Sequence, residues 1–312
     1  MFLTNLLLYI TAFAAIWYGA GLIISSVSRF SHKLRLSPFI FSFVFLGLLT
    51  STPEFSVGLQ AVAGNDPEIF VGNLLGGIVV IFLLVIPLFA VFANGINLRH
   101  ELDNKALLST FGVILAPSVA IMDKKVTTVE GAILIILYLI LFYVVQRKKG
   151  IFDEKNTDML NMKAYSYKDM FKILIGIGML FAASNVIFDK TLYFSAVFNI
   201  SAFYISLIAV SIGTNIPELS LAVRSAISGK KDVAMGDYLG SAAANTLLFG
   251  MFTLLSGGEI ITVNNFFITF GFIVGALSLF YLFFHRRNYI SRNNGILLFG
   301  VYILFVAFQL IN

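Results

Sequence analysis

The sequence predicts an all-α membrane protein, about ten transmembrane helices in two inverted-topology five-helix repeats. Three observations carry that prediction: the composition, the lengths of the apolar runs, and an internal match at constant offset. Of the 312 residues, 59% are hydrophobic and 12% are charged. A soluble domain carries about 25% charged residues, so lipid is the expected solvent for most of the chain.

A helix crosses the hydrocarbon core with about 20 mostly apolar residues. Runs of that kind lie near 4–28, 38–63, 69–94, 105–121, 128–146, 169–196, 202–228, 233–256, 262–284 and 294–311. The chain opens Met1-Phe2-Leu3 with no basic stretch before the first run, so that run is expected to be retained as a span and not cleaved. The one clearly polar stretch divides the chain into a first five-helix repeat (1–146), a cytoplasmic linker loop (147–167) and a second repeat (168–312).

When the loops are assigned to alternate sides, one side collects eighteen of the 21 Lys and Arg; the other keeps Lys124, Lys125 and Lys190. Basic loops stay cytoplasmic. Both termini are therefore expected outside a cell membrane, and the excess of basic residues reads as topology, with no nucleic-acid partner. Cysteine is absent and the three histidines fall in polar loops, which excludes thiolate metal sites and disfavours a histidine centre. The motifs of intramembrane aspartyl proteases, zinc proteases and prenyl-transferring enzymes are missing. No enzyme and no cofactor are expected.

The segment 47–77 matches 211–241 without a gap, at an offset of 164. Thr50 pairs with Thr214, Pro53 with Pro217, Glu54 with Glu218, Ser56 with Ser220, Gly72 with Gly236 and Gly76 with Gly240. The matched residues are mostly Thr, Pro, Glu, Ser and Gly, which generic apolarity does not explain. Five spans separate the copies. They must run in opposite directions, the plan of secondary transporters whose site forms near the midplane; a passive channel can share that plan.

Glu54 and Glu218 fall deep inside the second and seventh spans, where no Lys, Arg or His lies at the same depth. An ionisable group there marks an ion or proton path. At 100° per residue, Gly47, Thr50, Ser51 and Glu54 share one helix face, as do Ser211, Thr214, Asn215 and Glu218. Pro53 and Pro217 lack the amide hydrogen that would bond the carbonyls of Leu49 and Gly213, so a bend is expected beside each glutamate. Carboxylate, hydroxyl, amide and carbonyl oxygens are ligands of hard cations. Ser241 and Asn245 add oxygens on one face of the eighth span, where the third span offers Gly77 and Ile81. Gly72-x-x-x-Gly76 and Gly236-x-x-x-Gly240 are spacings for close helix packing. Asp237 reads equally as a cation attractor or as a hydrated, inert group near the cytoplasmic end.

With TSTPEF (Thr50–Phe55) and GNLLGG (Gly72–Gly77), then GTNIPEL (Gly213–Leu219) and GDYLGSAAAN (Gly236–Asn245), the chain resembles the sodium/calcium exchanger family of the calcium/cation antiporter superfamily. The resemblance implies antiport of calcium against sodium by alternating access, with the first and sixth spans sliding over the rest. It implies a calcium site lined by Thr50, Glu54, Thr214 and Glu218. An outer sodium site would use Ser211 (backbone), Thr214, Asn215, Glu218 and Ser241; an inner one would use Gly47 (backbone), Ser51 and Glu54. Asn245 completes the expected metal set. The chain departs from the family at Leu49, where the family has Gly; at Gly77 and Asn215, where it has Ser; and at Ile81, where it has Asn. The coupling ion, sodium or proton, is left open by those departures.

Overall fold

A computed structural model describes residues 2–31, 42–97, 104–148, 167–228, 231–257, 259–262, 266–287 and 289–311. Ten helical segments follow in order: α1 (Phe2–Ser31), α2 (Ser42–Thr50 and Thr52–Ala63), α3 (Pro67–Phe92), α4 (Asn104–Ala120) and α5 (Thr128–Lys148), then α6 (Tyr167–Phe198), α7 (Ala202–Thr214 and Ile216–Ser228), α8 (Lys231–Leu255), α9 (Phe267–Arg287) and α10 (Arg292–Ile311). Seven of these are long and apolar enough to cross a membrane, α2 makes an eighth if its bent pair counts as one span, and α4 and α9 contain shorter apolar helices. The expected linker 147–167 lies almost wholly outside the described residues.

The chain is a multi-pass membrane protein whose polar side chains gather in the middle of the bundle. α3 and α8 are its axis: 83% of the apolar window of α3 and 78% of that of α8 are buried, against 28% for α5 and for α10. The outer helices turn Leu, Ile and Phe outward, among them Ile136, Leu139, Ile140, Ile303 and Leu304, as a lipid-facing surface requires.

The repeat offset of 164 governs the packing in detail. Gly76 of α3 lies against the backbone of α7 at Leu207, and its counterpart Gly240 of α8 lies against the backbone of α2 at Phe43. Each inner helix thus packs on the motif helix of the opposite repeat. The expected close approach of small residues is present, and it interlocks the two halves.

Two short strand pairs repeat the exchange at the bundle ends. β1 (Ile96–Asn97) pairs antiparallel with β4 (Tyr289–Ile290), and β2 (Lys125–Thr127) pairs with β3 (Glu259–Ile261). Each ladder joins one repeat to the other. Lys125 and Glu259 add an exposed ion pair at 3.0 Å, a contribution of about 0–1 kcal/mol at most for such a surface pair.

Candidate functional site

The motif helices α2 and α7 are broken at equivalent places. In α2 the helix ends at Thr50 and restarts at Thr52, with a bend of 46°. In α7 it ends at Thr214 and restarts at Ile216. Pro53 and Pro217 each stand one residue after the restart, where their missing N–H costs least. The Leu49 carbonyl that Pro53 leaves free accepts from the Thr52 hydroxyl at 2.7 Å. Ile216 stands at the equivalent place and has no hydroxyl. One turn earlier, Ser42–Leu46 and Ser206–Val210 wind as π-helix, again 164 residues apart. The sequence did not announce these widened turns; such turns concentrate at functional sites.

All eight expected ligands are buried in one connected region. Thr50, Ser51, Glu54, Thr214, Asn215, Glu218, Ser241 and Asn245 are each 2% exposed or less. Asn215 Nδ2 donates to Glu54 Oε1 at 3.1 Å and to the Ser211 carbonyl at 2.9 Å. Ser241 Oγ donates to Glu218 Oε1 at 2.8 Å and lies 3.2 Å from Ser51 Oγ. Ser51 Oγ donates in turn to the Gly47 carbonyl at 2.8 Å. Thr214 lies beside Glu54 and Thr50 beside Glu218, and the two glutamates are near enough to feel each other's charge. These hydrogen bonds cross the grouping that the resemblance implies: Asn215 joins Glu54, while Ser51 joins Ser241 and Ser241 joins Glu218.

The two threonines repeat the exchange of partners. Thr214 Oγ1 donates to Asn73 Oδ1 and Thr50 Oγ1 to Asp237 Oδ1, each at 3.0 Å. Asn73 and Asp237 are themselves a repeat pair. Asp237 is wholly buried, so of its two sequence readings the hydrated one fails. It is a third interior carboxylate, bonded to an expected ligand. The pairing with Asn73 was the available signal, because both residues offer an oxygen at a position where a threonine needs an acceptor.

Several oxygens in this region have no hydrogen-bond partner: Glu54 Oε2, Glu218 Oε2, Asp237 Oδ2, Asn215 Oδ1 and Asn245 Oδ1. Among the described residues no Lys, Arg or His is buried. A buried polar atom without a partner costs on the order of 1–3 kcal/mol, more when charged. Among the described residues no three acidic, histidine or cysteine side chains close on one point as in a resident metal centre. The interior acids are instead Glu54, Glu218 and Asp237, with neutral oxygens and amides around them.

An inverted repeat with broken helices around interior carboxylates is the plan of secondary membrane transporters. The comparisons with known proteins narrow it. The family described as sodium/calcium exchanger protein matches residues 4–146 and 169–311, one match for each half. The chain belongs to that family, whose members are transporters, not enzymes.

Among its relatives, the putative antiporter CaxA of Alkalimonas amylolytica is 26% identical over 269 residues, covering 83% of this chain and 81% of the relative. The inner membrane protein YrbG of Escherichia coli is 25% identical, covering 81% and 80%. The sodium/calcium exchanger MaX1 of Methanosarcina acetivorans is 21% identical, covering 98% and 99%. A solved structure of the sodium-calcium exchanger NCX_Mj superposes with a TM-score of 0.71 at 21% identity, covering 98% of this chain and 99% of that one. That likeness shows a shared fold.

Proposed function

We propose that the chain exchanges calcium for sodium across the cell membrane by alternating access, binding both ions at the midplane between Glu54 and Glu218. The observation that carries this reading is the pair of buried glutamates, each with an unpartnered oxygen, in an interior where no Lys, Arg or His is buried among the described side chains. The charge they lack is one a carried cation supplies. Thr50, Ser51, Thr214, Asn215, Ser241 and Asn245 are the neutral ligands of the same reading.

Coupling follows from competition. A carboxylate oxygen that holds calcium is not available to sodium or to a proton, so one ion leaves before the other binds. Access alternates when α1 and α6, which pack along each other, slide over α2 and α7. Among the described residues, two side-chain bonds cross the path of that slide at equivalent places in the two repeats. Trp17 Nε1 donates to Ser220 Oγ at 2.9 Å and Ser56 Oγ to Ser184 Oγ at 2.8 Å, and Ser56 and Ser220 are again a repeat pair. The basic-residue asymmetry supports termini on the outside, and the division into 1–146, 147–167 and 168–312 goes with it.

A second reading, proton-coupled exchange of calcium or another divalent cation, is favoured by one observation: Gly77 and Ile81 remove oxygens from the first repeat. Labelled-calcium uptake into proteoliposomes separates the readings. Uptake driven by an imposed sodium gradient supports the first, and uptake driven only by a pH gradient supports the second. Calcium flux with neither gradient and no trans-stimulation means a channel. Glu54→Gln and Glu218→Gln each keep the side-chain shape and remove the charge, so each should abolish exchange while the protein still inserts. Uptake by both variants equal to that of the unaltered chain refutes the site.

A further inference from the structure

The repeat symmetry sets two equivalent positions beside the glutamates, and the side chains fill them differently. At the first stand the Gly47 carbonyl, Ser51, Ser241 and Glu218. At the second stand the Ser211 carbonyl, Asn215, Gly77 and Glu54. Every member of one group is the repeat partner of a member of the other, at offset 164.

The first position is short of protons. A hydroxyl has one hydrogen to give. Ser51 gives its hydrogen to the Gly47 carbonyl and Ser241 gives its hydrogen to Glu218. With Glu218 ionised and both hydrogens so placed, the two hydroxyl oxygens face each other at 3.2 Å without a hydrogen between them. Lone pairs turned on each other beside a carboxylate call for a cation.

The second position already has its donors. The end of the Asn215 side chain that reaches Glu54 and the Ser211 carbonyl must be the amide NH2, because a carbonyl only accepts. Its two hydrogens go one to each oxygen, at 3.1 and 2.9 Å. Gly77 is what leaves room for it. A Cβ there would come 3.3 Å from Asn215 Nδ2 and 2.8 Å from Asn245 Nδ2. The missing side chain of Gly77 on α3 makes space for the ends of Asn215 on α7 and, more tightly, of Asn245 on α8.

We propose that the Asn215 amide acts as a built-in cation, closing the second position, so that only the first takes a monovalent cation. This rests on the reading of the region as a cation site, and it sets the number of ions below what the symmetry would allow.

The test counts bound sodium directly, by equilibrium dialysis of 22Na against the purified full chain in calcium-free detergent buffer. The Hill coefficient for sodium in calcium uptake is measured alongside. The double variant Asn215→Ser with Gly77→Ser rebuilds the second position on the pattern of the first. Asn215→Asp, nearly isosteric, replaces the donor with an oxygen and leaves Gly77 in place, which keeps the test alive should the double variant fold poorly. Both should bind one sodium more than the unaltered chain, with a correspondingly steeper sodium dependence. An unchanged count in folded protein overturns the proposal. A raised count in a chain that shows no sodium-driven calcium uptake leaves the amide's role standing and removes the exchange reading instead.

Discussion

Substituting Gly240 by alanine tests the interlock of the repeats. An ideal Cβ at that position would lie 2.7 Å from the Phe43 carbonyl carbon and 2.9 Å from Phe43 Cα, and closer still to the Phe43 oxygen. These are backbone atoms of the π turn in α2, so no side-chain rotation relieves the contact. Forcing one methyl into such packing costs about 1–3 kcal/mol. For a chain of a few hundred residues, each kcal/mol lowers the melting temperature by about 2–4 °C. The repeat twin Gly76→Ala meets the Leu207 carbonyl, and Ser211 Oγ at 2.7 Å, and should behave alike. Gly275 of α9 has no neighbour within 4 Å of an added Cβ. Its change to alanine removes a flexible residue from a helix and should stabilise by about 0.5–1 kcal/mol. Thermal melts of the three variants in one detergent give the comparison. If Gly240→Ala and Gly76→Ala melt no lower than Gly275→Ala, the close approach of α8 to α2 and of α3 to α7 does not hold the bundle.

Asp237→Asn should keep the Thr50 bond, since Asn73 accepts from Thr214 in the same way. Removing an uncompensated interior carboxylate should raise the melting temperature in chelator, and it should weaken calcium binding less than Glu54→Gln does; isothermal titration checks the ranking. At the turn before α3, partial burial, and next the charge of Glu68, hold the Asp66 carboxyl above the ordinary aspartate range. An acid raised in the folded state favours folding while it is protonated, and that advantage is lost as pH rises through the folded value. Asp66→Asn should therefore match the unaltered chain at low pH and melt higher above the aspartate range. A gap that is widest in acid would contradict this sign.

Much of the site was legible because the requirements that make it are local. A glutamate in an apolar run, a proline before it and hydroxyls one turn earlier share a helix face by helical geometry alone. The bend beside Pro53, the burial of Glu54 and Glu218 and the pairing of the copies at offset 164 all follow from such spacings, and all are present. Asp237 was half legible, because sequence depth placed it near a helix end and could not show that α2 covers it.

By itself the sequence determined the solvent, the ten helical segments, the repeat and the set of interior oxygens, since hydropathy, proline and side-chain chemistry act over a few residues. Only the tertiary structure decided which polar atoms meet: Asn215 with Glu54, Ser51 with Ser241, Ser241 with Glu218 and Thr50 with Asp237. Those pairs stand 23 to 190 residues apart. They are set by how closely α3 and α8 approach the opposite motif helix, a matter of backbone contact at Gly76 and Gly240 that no single helix contains.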